Sequence, residues 1–452
     1  MIVPRNRLIF WSGIVLLPCS LTGAVFQTAA ASAVTVVALY FLLVLIDGIS
    51  ALNCLRGIEV KLPELVRLCK DREGAIELSF TNTNSSAKRL RVGLPLPAEI
   101  SCSSEDFIAS LTQGSQNSLF TFTCTPKKRG RYSISTCHLE GSSALGLWAM
   151  RSTASVHSEI RVYPGLLSEQ KNLAALFLNR GASGVHSQRQ VGQGREFEKL
   201  REYIHGDSYD SIHWKATAKR GKPITKVFQV ERTQDVYIII DSSRLSARSI
   251  TSESGMNNSN AQQAREIMDR FVTAALVMGI AAERQGDRFG FLGFSDRVNA
   301  FMRANTGRSH YNACRDILYN MKTDRVNPDF DETCSFICGR LRRRSLLVFL
   351  TNLDDPVIAD SFSRNMDLLS RKHLVLVNML KPVGVRPVFS GPDPHSIDDL
   401  YAHLGGHIVW QNMQELSQRL KQRGIGFSLL KSEQMCNHLV SQYITIKKRQ
   451  LL

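Results

Sequence analysis

The sequence predicts two membrane helices, then a small β-sandwich, then a three-layer α/β domain. Three observations carry this expectation. No charged residue lies between Arg7 and Asp47. Runs such as Ala75–Phe80, Ser118–Cys124 and Arg131–Leu139 then alternate apolar and polar side chains, the period of half-buried antiparallel strands. From Val236 onward, continuous β-branched runs alternate with segments of helical period, the mark of a mostly parallel sheet covered on both faces.

The uncharged stretch Leu8–Ile46 is too long for one span, which needs ~20 apolar residues. It divides at Gln27-Thr28 into spans of about 8–26 and 29–46. Arg5 and Arg7 precede the first span, and Arg56, Lys61 and Arg67 follow the second. Cationic flanks stay in the cytoplasm, so both ends of the hairpin, and all that follows, are expected there. A competing reading is a cleaved leader, with Leu8–Val25 as its apolar region and the run Ala29-Ala30-Ala31-Ser32-Ala33 as its cleavage site. A second full span following at once favours the hairpin.

The 452 residues carry 56 Lys and Arg against 40 Asp and Glu, a net charge of +16. This suits a protein held against an anionic lipid leaflet. Nucleic-acid binding is the other reading of that charge, but no stacking or reading-helix motif accompanies it. Ten cysteines without framework spacing fit a reducing compartment.

Domain boundaries follow from these shifts of pattern. Residues 1–56 form the membrane hairpin, 57–164 a β-sandwich-like module and 165–233 a connecting segment. Residues 234–430 form the α/β domain, and 431–452 a C-terminal helix with a basic tail. In the α/β domain the expected strands are Val236–Ile240, Arg288–Phe294, Ser345–Leu350, Leu374–Met379 and His407–Trp410. Helices are expected near Ala261–Arg284, Ser309–Met321, Glu332–Arg343, Asp360–Ser370, Ile397–Leu404 and Met413–Arg423. Ligands of such sheets sit at the carboxyl ends of the strands, here Asp241-Ser242-Ser243, Ser295-Asp296 and Thr351-Asn352. The Ser- and Asn-rich stretch Arg244–Asn260 reads as a loop above that edge.

The connecting segment holds the most unusual pattern, from Gly192 to Gly221. Asp207 and Asp210 are expected to start a helix there, and Lys215, Lys219 and Arg220 to end it, with Gly221 as the stop. Ile212 and Ala216 would pack on one face, and Trp214 would anchor against the sheet or the β-module. The segment resembles the signature of the bacterial domain-of-unknown-function 58 family at Gly194, Glu196, Phe197, Leu200, Arg201, Tyr203, Gly206, Asp207, Ile212, Trp214, Ala218 and Gly221, with Lys219 for the usual Arg. The resemblance implies a von Willebrand factor type A-like α/β domain and a partner that is a MoxR-type AAA+ ATPase. It also implies a bacterial inner-membrane protein, with the signature bracing the domains or being read by the ATPase.

The same resemblance implies a metal-ion-dependent adhesion site, built from Asp-x-Ser-x-Ser, a Thr and a later Asp around Mg²⁺. Here Asp241 and Ser243 match, Leu245 replaces the second Ser, and Asn352 after Thr351 replaces the Asp. Magnesium is therefore expected only at a degenerate site. For catalysis the strongest group is His205, Asp207, Asp210 and His213, which as a metal-dependent hydrolase would bind metal or move protons. The alternative is that the two acids cap and the two histidines are solvated. No Walker loop, nucleophile elbow or His-Glu-x-x-His motif occurs. The leading expectation is a membrane-anchored, non-enzymatic binding or adaptor protein, with the hydrolase and the nucleic-acid binder as alternatives.

Overall fold

The computed structural model describes residues 1–26, 30–82, 88–102, 106–111, 117–167, 169, 191–192, 196–205, 208–229, 233–250, 265–382, 384–390 and 396–449. These fall into two compact units, Met1–Gly165 and Leu166–Leu452.

In the first unit, helices Asn6–Val25 and Ala30–Leu52 lie side by side, joined by a hydrogen bond between Ser12 Oγ and Tyr40 Oη at 2.9 Å. Among the described residues, Ala30–Leu52 is the one helix long and apolar enough to cross a membrane. Both helices leave large apolar side chains exposed, among them Phe10, Leu17 and Leu21 on the first and Leu39, Phe41 and Leu45 on the second. The second helix runs past the expected end of its span and takes Asp47 into its last turns.

A β-sandwich follows. One sheet orders Ile2–Pro4, Trp148–Tyr163, Gly130–Ser142, Lys88–Gly93 and Asp106–Leu111, with Leu65–Cys69 parallel to Trp148–Tyr163. The other orders Ile58–Lys61, Gly74–Asn82, Asn117–Pro126 and Ile100–Cys102. Alternate residues of both sheets meet in one core, with Ile76, Leu78 and Phe80 facing Leu90, Val92 and Ile160. The period of two predicted the three strands named above because each keeps one face in that core.

The second unit is built on a six-stranded sheet: β1 (Asp235–Asp241), β2 (Arg288–Phe294), β3 (Val298–Asn305), β4 (Leu346–Leu350), β5 (Leu374–Leu380) and β6 (Gly426–Leu430). Its order is β3-β2-β1-β4-β5-β6, all parallel except β3. The order reverses at β1, a doubly wound sheet with its switch point between β1 and β4. Val236, Ile238 and Ile240 face α1 (Ile267–Arg284), while Tyr237 and Ile239 face the opposite layer. The helices that follow are α2 (Arg308–Leu318), α3 (Phe330–Arg340), α4 (Pro356–Ser370), α5 (Ile397–Gln422) and α6 (Met435–Arg449). Layer one contains α1, α2 and α6, and layer two contains α3, α4 and α5.

The sequence reading of this sheet departs from the structure at His407–Trp410, at β3 and at β6. His407–Trp410 is not a strand but the middle of α5, which Ser396 caps through Asp399 N–H at 3.1 Å. A cap and 26 helical residues outweigh a two-residue β-branched-aromatic pair. Strand β3 was not anticipated, because an edge strand with exposed Asn299 and Arg303 lacks the apolar run of its neighbours.

Candidate functional site

The carboxyl ends of β1 and β4 bring together three of the predicted residues, Asp241, Ser243 and Asn352, with Thr351 beside them. Asp241 is fully buried. One of its carboxylate oxygens accepts from Ser243 N–H at 2.8 Å, and the other from Thr351 Oγ at 2.6 Å. Ser246 Oγ donates to the Asp241 carbonyl at 2.6 Å, and Asn352 Nδ2 donates to the Leu245 carbonyl at 3.4 Å. Burial holds the Asp241 carboxyl above the ordinary carboxylate range; the bonds from Thr351 and Ser243 offset part of that rise. Ser242 and Ser295 are tied to Asn299, which also reaches Asp324. Arg244 bonds Asn327, and Arg248 pairs with Asp354.

This donor set fits Mg²⁺ poorly. The ion needs near-octahedral oxygen ligands, and the positions that match the adhesion motif offer one carboxylate, Asp241, whose two oxygens already accept protein hydrogen bonds. Leu245, where a second hydroxyl is required, is fully buried in the core. The buried acceptors left open are Asn352 Oδ1, a neutral oxygen, and Asp354 Oδ1, on the carboxylate whose other oxygen pairs with Arg248. Around Asp241 itself the polar groups satisfy one another.

The signature segment is arranged differently. Glu196–Glu202 and Val191–Gly192 flank Ile224–Gln229 in a three-stranded antiparallel sheet. Between the outer strands and the centre, the chain makes a 3-10 turn at Tyr209–Ser211 and a short helix, Trp214–Arg220. The helix cap corrects the sequence expectation. His213, not Asp207 or Asp210, is the N-cap, its Nδ1 accepting from Ala216 N–H at 3.1 Å. Asp210 sits in the 3-10 turn and Asp207 lies outside the described residues. At the other end Gly221 holds φ at 66°, the left-handed stop that the sequence predicted, and Lys219 and Arg220 occupy the last turn.

Ile212 is buried and bridges to Thr225, as its apolar character requires. Leu200, Arg201 and Tyr203 are half-buried, and the Tyr203 ring stacks on Tyr209 with centroids 6.1 Å apart. Trp214, expected to be an anchor, is 69% exposed. Tyr209 is 75% exposed on the same segment. An exposed tryptophan and tyrosine on one segment are of the residue types that contact sites favour. Sequence reasoning missed the exposure because large aromatic side chains are usually buried in large part. Glu196 and Phe197 have described backbone only, in register with Gln229 and Phe228. Gly194 and Gly206 lie outside the described residues, as do residues 251–260 of the predicted loop and 261–264 at the start of the predicted helix.

The expected His/Asp catalytic group does not assemble among the described residues. His213 caps the helix, His205 is exposed, and no cluster of three or more His, Cys, Asp or Glu suited to a metal occurs among the described residues. Buried thiols are pushed up, Cys124 and Cys137 to about 11 and Cys314, Cys334 and Cys436 to about 12, far from activated thiolates. Asp287, which sequence alone reads as a surface acid, is buried. It accepts from Gln234 N–H at 3.1 Å, from Tyr443 and from Lys447 Nζ at 2.7 Å, tying α6 to the sheet.

Residues 199–386, from within the signature to the loop after β5, match the family described as "Protein of unknown function DUF58". No curated protein matches the chain in sequence. Among solved structures it is similar to the PilB minor pilin from Streptococcus sanguinis. That likeness has 10% identity over 80% of this chain and 87% of the pilin, with a TM-score of 0.31. It is similar to the SpRpn10 VWA domain at 9% identity, over 46% of this chain and 95% of that one, with a TM-score of 0.27. It is also similar to an aerotolerance-related membrane protein from Bacteroides fragilis NCTC 9343, at 12% identity over 46% and 99%, with a TM-score of 0.26. Likenesses this distant say nothing of function. The sheet order with its antiparallel edge strand is that of a doubly wound α/β sheet.

Proposed function

We propose that this protein is a two-pass inner-membrane adaptor, not an enzyme, that holds a MoxR-type AAA+ ATPase at the cytoplasmic face through its signature segment. The observation that carries the reading is the exposure of Trp214 and Tyr209 on a short helix and turn flanked by Lys215, Lys219 and Arg220. Rings of this kind, rimmed by cations, suit a partner surface with an apolar centre and an acidic border.

Several features support the membrane half of the proposal. Each exposed Leu, Ile or Phe on the two helices forgoes roughly 1.5–3 kcal/mol in water that lipid restores. The helices' outer ends meet the same β-hairpin: Met1 donates its amino group to the Arg151 carbonyl at 2.9 Å, and Cys54 reaches the Ser142 carbonyl at 3.1 Å. A pair of spans returning to one side would bring these two ends together, which supports the two-pass reading. Arg5, Arg7, Arg56, Lys61 and Arg67 then fall on the cytoplasmic side.

At the β1 and β4 edge we infer that Asp241, Ser243 and Asn352 hold the sheet end in shape, with Mg²⁺ the alternative occupant. Melting the full chain in detergent with Mg²⁺ and with EDTA separates the two. Equal melting temperatures are expected, and a rise with Mg²⁺ assigns the edge to the ion.

The adaptor reading is tested by purifying the tagged full chain from its own membranes in mild detergent and identifying what accompanies it. A MoxR-type ATPase in stoichiometric amount is the expected result, and its absence under every nucleotide condition contradicts the proposal. Protease added to intact spheroplasts should leave the β-module and the α/β domain uncut; digestion there contradicts the orientation.

A further inference from the structure

The junction between the second helix and the β-sandwich contains a built groove that neither the signature nor the sheet edge accounts for. The hairpin joining Gly130–Ser142 to Trp148–Tyr163 turns at Ser143–Gly146, closed by Gly146 N–H to the Ser143 carbonyl at 3.1 Å. Its tip is fastened to the helix by Asp47. That carboxylate accepts from Ser143 Oγ at 2.6 Å, Leu145 N–H at 2.9 Å and Leu147 N–H at 3.3 Å, and is itself 3% exposed. Successive backbone N–H groups converging on one anion form a nest. The indole of Trp148 adds a bond to the Val44 carbonyl at 3.0 Å and packs over Gly48, where a β-carbon would stand 3.4 Å from the ring nitrogen.

This fastening leaves a groove of about 370 Å³ between helix and hairpin tip. Leu39, Leu42, Leu43 and Ile46 line one stretch of it, Leu145 faces them from the tip, and Asp47 and Ser50 close the polar end. Leu145 is 53% exposed. Arg7 is exposed and its guanidinium lies 3.4 Å from where a side chain on Gly146 would begin, one residue from Leu145. The groove therefore grades from apolar along the helix to polar at its end, with a cation beside the tip. We infer that it seats an anionic phospholipid, one acyl chain along Leu39–Ile46 and the phosphate at Arg7. The gradient and the cation match that molecule's own order of groups, and the neighbouring helix surface is one that lipid bathes. Asp47 does not repel the phosphate strongly, because its carboxylate already accepts from three donors of the hairpin tip.

The inference rests on the membrane reading above, and the test keeps the two apart. The full chain is placed in nanodiscs of phosphatidylcholine containing a minor fraction of phosphatidylglycerol, then released into detergent, and the lipids retained are weighed by native mass spectrometry. Wild type should retain one phosphatidylglycerol in preference to phosphatidylcholine. Leu42→Trp, which fills the groove from a lipid-facing position, and Leu145→Asp should each lower retention about tenfold. Arg7→Gln should lower the preference for the anionic lipid about fivefold while the melting temperature of the β-sandwich stays unchanged. Equal retention of the two lipids by wild type, or retention unaffected by Leu42→Trp, overturns the inference. So does a second copy of the chain crosslinked across Leu145 with no lipid retained. A chain that alkaline carbonate strips from membranes overturns the membrane reading itself; one that stays embedded but retains no phosphatidylglycerol overturns only the groove.

Discussion

The end of the parallel sheet and the signature segment make opposite use of their polar and aromatic side chains. At the sheet end, Asp241, Ser243, Thr351 and Ser246 are buried or nearly so, and they satisfy one another. On the signature, Trp214 and Tyr209 project into solvent beside Lys215 and Lys219, held by a small sheet and a helix stopped at Gly221. The contrast teaches that polar groups at the position where such sheets usually bind ligands are here turned on one another, and the proposed contact lies instead on a segment preceding β1. Substitutions in the first region should cost folding free energy, and those in the second should cost binding alone.

The largest effect is expected from Asp241→Ala. It leaves the Thr351 hydroxyl and Ser243 N–H without their acceptor in a dry site, a loss of roughly 2–4 kcal/mol in denaturant unfolding of the full chain in detergent. An unfolding midpoint equal to wild type would remove the contrast altogether. The opposite end of the same sheet supplies a control. His373, 3% exposed and with both ring nitrogens unpartnered, has its pKa lowered to about 4 by burial and by Lys372. A lowered histidine contributes stability above its ordinary value of 6.5, and this is lost as the pH falls toward 4. His373→Leu should therefore flatten the acid branch of the stability curve by on the order of 2 kcal/mol. An acid branch left as steep as in wild type would show that the ring is solvated.

Asp241→Asn has a smaller effect, of the opposite pH sense. The raised carboxyl favours folding while protonated, and that contribution is present below the ordinary carboxylate range and lost as the pH rises through its own raised value. Asparagine keeps an acceptor for Ser243 N–H without the charge, so the variant should lose this slope and differ from wild type by about 1 kcal/mol. The least effect on folding is expected from Trp214→Ala with Tyr209→Ala, within about 0.5 kcal/mol of wild type because both rings are exposed. A loss much larger than this would make the signature a core element and return Trp214 to the anchoring role its sequence suggests.

How much of this was legible in the residues follows from burial. Strands β1, β2, β4 and β5 were readable because a strand covered on both faces shows a continuous apolar run. Strand β3, open to solvent along one edge, shows none, and β6 is short and only partly buried. Gly221 was readable because a left-handed stop admits few other residues. Asp241, Ser243, Thr351 and Asn352 were found through their place after apolar runs, but spacing cannot reveal that Thr351 turns its hydroxyl onto Asp241. The roles of Asp47 and Asp287 were invisible for the opposite reason: a carboxylate at the end of an apolar run, or among polar neighbours, shows no partner until Ser143, Leu145 and Leu147, or Tyr443 and Lys447, arrive from distant sequence.

The central claim is best tested by measuring MoxR-type ATPase binding to the full chain in nanodiscs for wild type, Trp214→Ala with Tyr209→Ala, and Asp241→Asn. The account predicts that the aromatic pair loses at least about tenfold in affinity, the size of a contact hot spot, while Asp241→Asn binds as wild type does. Loss of binding by Asp241→Asn with the aromatic variant unaffected would return the contact site to the sheet edge and contradict the account.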